Sequence, residues 1–335
     1  MATYKRQRYL LMTTDPVHIG TGGYRLGRVD NSIVREPGTR VPKIPGTSLH
    51  GAARSYAAQL YERPVCAGQG QPKDGREGHC GSSDCPVCYA FGYLKQENGQ
   101  EDKMVAFSGV VNVFDAHVLL FPVHSMAGPV WVSTVRRLQE AGFSVENVPD
   151  EWDTGTVLLT WKRDEALNLG WLMVKAGGQA TVAAPDKWQD EPRWKAVQTS
   201  LVLVQDALFS QVVNSNLEVR TSVAIDPERG AAEEGALFTY EALPRATFLT
   251  VEVVLDDYRR EGEHWPLGEV RETRPKNGKP KPLPGGPWTD PLDVVAAGLG
   301  MIEWLGVGGM GTRGFGRMAI AGEPLEQVYG EEVWQ

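Results

Sequence analysis

The sequence predicts an α+β fold with a strand–loop–helix unit in each half. Three observations predict it. Short strand patterns alternate with two helical stripes, no period of solenoid length recurs, and 335 residues, 41% of them hydrophobic, suffice to bury a full core. The expectation is one domain over residues 1–335. No apolar run reaches the length of a membrane span, and Leu10-Leu11-Met12 is broken too soon by Asp15-Pro16 to be a signal peptide. A cytoplasmic protein without a membrane partner is expected.

Arg8 to Thr14 reads as the first strand, ended by Asp15-Pro16 before a loop carrying Gly20, Gly22, Gly23 and Gly27. A helix follows, capped by Thr47 or Ser48, with Leu49, Ala52, Ala53, Tyr56, Ala57 and Leu60 on one stripe. Its free N-terminal amides then face the loop. The runs Val105 to Val113 and Val118 to Val123 read as buried strands. From Leu217 to Ile225 apolar or β-branched residues alternate. Asp226-Pro227-Glu228-Arg229-Gly230 supplies turn chemistry, and Leu237 to Tyr240 returns, making a long hairpin. Arg259 to Pro291 is rich in Pro, Gly and charge and predicts an exposed, weakly ordered insertion. Asp290-Pro291 then starts a helix with Leu292, Val295, Ala296, Leu299, Ile302 and Leu305 on its apolar face, ended at Gly306.

Net charge is −8, so the molecule as a whole does not attract phosphate. Between His18 and Tyr61, however, Arg25, Arg28, Arg35, Arg40, Lys43 and Arg54 stand against only Asp30 and Glu36, while acids such as Glu323, Glu326, Glu331 and Glu332 collect in the tail. A polyanion on one basic face is one reading of this distribution; an ordinary solvated surface is the other.

Three constellations carry chemistry. Cys66 is followed after thirteen residues by Cys80, after four by Cys85 and after two by Cys88, amid Gly, Ser and Asp. Four thiolates complete a tetrahedral zinc shell of the structural kind, with His79 able to replace one of them; buried free thiols suit flanks this polar poorly. The run Gly308-Gly309-Met310-Gly311-Thr312-Arg313-Gly314-Phe315-Gly316-Arg317 lets backbone amides approach phosphates, although the same glycines serve a permissive turn. Finally, the first loop gathers His18, Asp30, Asn31, Arg35 and Lys43. Asp30 there either acts as a base or holds a hydrated Mg2+, or merely pairs with Arg28 or Arg35. Asp115 and His117 form a further acid–base pair for which a structural role is expected.

His18-Ile19-Gly20, Asp30, the stretch Pro42-Lys43-Ile44-Pro45-Gly46-Thr47-Ser48-Leu49 ending at Arg54, and the late Gly-rich loop together resemble the RAMP superfamily of CRISPR proteins, in the same order. Cys85-Pro86-Val87-Cys88 with Phe91-Gly92, and Phe114-Asp115-Ala116-His117 through Phe121-Pro122-Val123, are similar to the repeated backbone subunit of type III complexes, the type III-B (Cmr) form most of all. Arg220-Thr221-Ser222 to Gly235-Ala236-Leu237-Phe238 and on to Glu241-Ala242-Leu243-Pro244 resembles that subunit's thumb.

The resemblance implies a ferredoxin-like, RRM-like palm with fingers, matched to the zinc-containing segment at about 62–104, and a β-hairpin thumb at 214–245; the Pro, Gly and charge content adds a mobile loop at 257–291. It implies copies stacked along a guide crRNA with other complex subunits, each thumb displacing a base pair of the guide–target duplex so that target single-stranded RNA is cut. Asp30 matches the catalytic aspartate, supported by His18, with Mg2+ or another divalent cation for cleavage and Zn2+ as structure. Lys43, Ser48, His50, Arg54, Gly308, Gly309, Gly311, Arg313, Gly314, Gly316 and Arg317 would bind RNA; at His50 the family commonly has lysine. A non-catalytic scaffold is the alternative, and a zinc-stabilised small-molecule enzyme lacks a convergent set of pocket residues.

Overall fold

The computed structural model describes residues 3–22, 29–68, 78–82, 85–96, 104–258, 272–273 and 281–330. Gly23, Arg25, Gly27, Arg28, Glu331 and Glu332, and most of the charged stretch after Tyr258, lie outside the described residues. The framework is laid down by β1 (Thr3–Thr13), α1 (Gly46–Leu60), α2 (Pro86–Phe91), β2 (Ala116–Ser125), β3 (Glu218–Asp226), β4 (Ala231–Ala242), β5 (Phe248–Asp257), α3 (Pro291–Gly300) and β6 (Met318–Ile320). In the main sheet the neighbours run β2-β5-β1-β6, each pair antiparallel. Beyond β2 the sheet continues through Gly128–Ser133, Leu201–Leu203, Thr156–Leu159, Leu172–Gln179 and Leu167–Leu169.

Both faces of this sheet are covered, which is why its central strands carry apolar residues on both sides. On one face Tyr9, Leu11, Val251 and Val253 meet Leu49, Ala53 and Ala57 of α1 and Leu292, Val295 and Leu299 of α3. The two helices approach so closely that a Cβ on Gly298 would lie 2.2 Å from the Ala53 carbonyl oxygen. On the other face Leu10, Leu119 and Phe248 pack under Leu138, Phe143, Trp188 and Trp194. Full burial of side chains this large is worth about 1.5–3 kcal/mol each, so the short helices of residues 134–205 are held by this second core rather than by their own length. Among the described residues no helix is long and apolar enough to cross a membrane.

Several expectations are revised. β1 begins at Thr3, earlier than expected. α1 starts at Gly46 after Pro45, with no side-chain cap from its own sequence; Thr47 and Ser48 sit inside its first turn. The expected strand Val105 to Val113 is two, Met104–Ser108 and Val111–Val113, because the chain turns at Gly109, where a Cβ would stand 2.4 Å from the Ala90 carbonyl oxygen. α3 is begun by a capping box between Asp290 and Asp293 but stops at Gly300. Ile302–Leu305 forms a separate turn with Leu305 exposed. The last part of the expected weakly ordered insertion is packed: Leu283 and Trp288 are buried, and Tyr61 donates to the Gly285 carbonyl at 2.9 Å. The strand Val118 to Val123 lies within β2, and the long hairpin is β3 and β4.

Candidate functional site

Three loops converge where β1 ends. Gly316 donates its amide to Pro16 O at 2.8 Å and Gly309 donates to His18 O at 3.0 Å, so the Gly-rich loop lies along the first loop. Gly308 has φ +85°, and a Cβ there would come within 2.5 Å of His18 O and 2.4 Å of Ile19. This position admits glycine because both its conformation and its contact demand it. Gly314 and Gly316 also have positive φ, while Gly311 opens a short 3-10 turn to Arg313.

The base of the β3/β4 hairpin completes the junction. His18 is buried, its Nδ1 2.6 Å from Glu241 O and its ring edge-on to Tyr240. Asn31 donates to Thr239 O at 3.0 Å and its own carbonyl accepts the Glu241 amide at 3.0 Å. Asp30 is exposed beside them: its Oδ2 accepts both the Thr239 amide and the Thr239 hydroxyl at 2.8 Å. These two donors hold its carboxyl below the usual carboxylate range. Arg35, one of its two expected salt-bridge partners, instead pairs with Glu241 at 2.6 Å; the other, Arg28, lies outside the described residues. Among the described residues Asp30 has no cationic partner.

A groove of about 390 Å³ runs between the N-terminal half of α1 and the Gly-rich loop, lined by Thr47, Ser48, Gly51, Tyr56, Gly308 and Gly311 among others. Its hydroxyls and glycine backbone suit a phosphate chain, whereas the expected free amides at the start of α1 are occupied, Gly46 by Asp115 at 2.7 Å and Ser48 and Leu49 by Pro45 O. Arg313 reaches Tyr240 at 3.3 Å and lies 5.8 Å from the Phe238 ring centre, while Arg317 pairs with Asp15.

Lys43, His50 and Arg54 are placed differently from expectation. The Lys43 ammonium is held by Asp115 at 2.6 Å and Glu36 at 2.9 Å, and Asp115 also accepts the Gly46 amide at 2.7 Å, which makes Asp115 the cap of α1. The structural role expected of Asp115 is therefore specific, whereas the exposed His117 stands 3.7 Å from Glu36. His50 packs edge-on to Phe91, where burial and the Arg54 charge push its imidazole pKa down. Arg54 is buried and donates to the carbonyls of Cys66, Phe91 and Gly92 at 2.8–3.2 Å. Its donor contacts lie inside the protein, not at the surface where a contact to RNA is expected.

That interior is the cysteine cluster. Cys66, Cys80, Cys85 and Cys88 bring their sulfurs within 4.8 Å of one another, with Cys85 at the N-terminus of α2. Hydrogen bonds from the other three sulfurs pull Cys80 toward the thiolate, while Cys66 and Cys80 push the Cys85 and Cys88 thiols up. Four soft donors whose sulfurs converge this closely fit one metal cation. His79 is not part of the set: its ring nitrogens face Arg54 at 2.8 Å and accept the Leu94 amide at 3.0 Å.

Sequence reading missed two residues at the junction. Glu241 stood in a quoted motif without a role, and Thr239 carried no signal, since a threonine in a strand is ordinary.

The RAMP superfamily model matches residues 10–319. The chain is 26% identical over 254 residues to the CRISPR system Cmr endoribonuclease Cmr4 of Pyrococcus furiosus, covering 71% of this chain and 77% of that protein. In fold it is similar to a chain of the type III-B Cmr-beta complex bound to cognate target RNA, with a TM-score of 0.55, 14% identity and coverage of 94% and 96%. It is also similar to oligomeric Cmr4 from Pyrococcus furiosus, with a TM-score of 0.50, 18% identity and coverage of 99% and 100%.

Proposed function

This chain belongs to the RAMP superfamily, and we propose that it is the repeated backbone subunit of a type III-B CRISPR complex, which binds guide crRNA and cleaves complementary target RNA at regular intervals. Its partners are the guide, target single-stranded RNA, further copies of itself and the other subunits of the complex, in the cytoplasm. The order β1-α1-β2-β5-α3-β6 with neighbours β2-β5-β1-β6 supports a ferredoxin-like, RRM-like palm. On that palm the segment 62–104 forms zinc-containing fingers and 214–245 the thumb.

The observation that carries the nuclease over the scaffold is Asp30. It is an exposed carboxylate at the junction of both loops and the hairpin base, and its Oδ1 has no partner among the described residues. A scaffold has no use for a carboxylate whose second oxygen is left open, among the described residues, at the meeting point of these loops. When the thumb displaces a base, the 2′-hydroxyl, phosphorus and departing oxygen come into line. Oδ1 then takes the 2′-hydroxyl proton as the 2′-oxygen bonds to phosphorus and the bond to the 5′-oxygen breaks; water protonates the departing oxygen, leaving a cyclic phosphate and a 5′-hydroxyl. Asp30 would hold a divalent cation such as Mg2+, which would supply neutralisation of the charge growing on the phosphate. His18 supports the site by fixing the first loop against Glu241 and Gly309. Ser48 and the Gly-rich loop from Gly308 to Arg317 hold guide backbone in the groove, and Zn2+ on the four cysteines is structural.

Target RNA offered to a complex reconstituted with guide and divalent cation tests this reading. Cuts at a constant spacing are expected; a complex that binds target without cutting would leave only the scaffold.

A further inference from the structure

Thr239 does more at Asp30 than a strand residue needs to. Its hydroxyl donates to Asp30 Oδ2 at 2.8 Å and accepts the Asp30 amide at 3.0 Å, while its own amide donates to the same Oδ2 at 2.8 Å. Its carbonyl takes the Asn31 amide at 3.0 Å. One side of the carboxylate is thereby saturated and the other left open, with the hydroxyl locked in one rotamer because it donates and accepts within the same pair of residues.

We propose that Thr239 is a positioning residue for cleavage: it fixes the carboxylate of Asp30 with Oδ1 presented to the reacting ribose, and it ties that carboxylate to the base of the hairpin that engages the duplex. The proposal rests on the reading of Asp30 as the cleavage residue. Because Thr239 belongs to β4, a displacement of the hairpin is transmitted to Asp30 through three hydrogen bonds and no intervening side chain. The same donors keep Asp30 ionised, so their partial loss raises the pH at which it takes up a proton.

The test is single-turnover cleavage at saturating target by assembled complexes carrying Thr239→Val, Thr239→Ser or Asp30→Asn, each with target affinity and a pH–rate profile. Val keeps the branched shape and the amide but removes the hydroxyl. Thr239→Val is expected to slow cleavage by about tenfold or more with target affinity unchanged. Its acid limb is expected to move to higher pH, and Thr239→Ser to restore both. If Thr239→Val prevents assembly, Thr239→Ala is read in its place by the same criteria. Wild-type cleavage with an unmoved acid limb, in a series where Asp30→Asn is inactive, overturns the positioning role and leaves Asp30 standing. Loss of target affinity with an unchanged rate per bound target overturns it too. Wild-type cleavage by Asp30→Asn removes the Asp30 reading itself, and this proposal with it.

Discussion

Asp115 caps the first helix from 69 residues away, its Oδ1 accepting the Gly46 amide at 2.7 Å. Burial alone would raise the Asp115 pKa, but the Lys43 ammonium and the Gly46 amide outweigh it and hold it below the ordinary carboxylate value. A folded-state pKa below the unfolded one contributes stability that is full above about pH 4 and is lost as pH falls through the folded value. Asp115→Asn should therefore cost about 1 kcal/mol at pH 7. The gap to the unsubstituted protein should narrow as pH falls below about 4, measured by urea unfolding.

The contact between the two helices yields a paired prediction. Gly298→Ala places a methyl 2.2 Å from the Ala53 carbonyl and should destabilise by about 1–3 kcal/mol or more. Gly300→Ala, with nothing within 4 Å, should be neutral or stabilise slightly. Thermal unfolding of the two variants side by side checks the packing.

One zinc per chain is expected, and Cys85→Ser with Cys88→Ser should abolish it. Arg54→Met should lower thermal stability, because the carbonyls of Cys66, Phe91 and Gly92 lose a buried donor at about 1–3 kcal/mol each. Metal analysis and melting of the same samples read both outcomes.

Guide binding should weaken steeply with salt and alike for every guide sequence. Arg313→Gln should reduce the slope of log affinity against log salt by about one if it neutralises one phosphate. Lys43→Glu is expected to act by another route, breaking the start of α1 through Asp115 and Glu36, and so to lower thermal stability as well as affinity.

The parts of this molecule legible in the sequence were those written locally. The cysteine spacing names four sulfurs that meet, the turn chemistry at Asp226 to Gly230 announces the hairpin, and Asp290-Pro291 announces α3. What was not legible depends on distant partners. Thr47 and Ser48 looked like caps, yet the cap is a carboxylate on the far side of the sheet connection. Arg54 looked like a surface cation in a basic stretch, yet carbonyls from two other segments draw it inside. Trp188 and Trp194 lie in short helices too brief to show a period, so the second core left no pattern. Asp30 was recognised by its resemblance, but its hold by Thr239 spans 209 positions and no local rule reports it.

Cleavage by a reconstituted guide-loaded complex in which every copy carries Asp30→Asn is the most direct measurement. The amide keeps the shape of the side chain and removes its charge and basicity. The prediction is loss of the regularly spaced cuts while the complex assembles and binds target RNA with nearly unchanged affinity. Regular cuts at an undiminished rate would contradict it and move the nuclease away from Asp30.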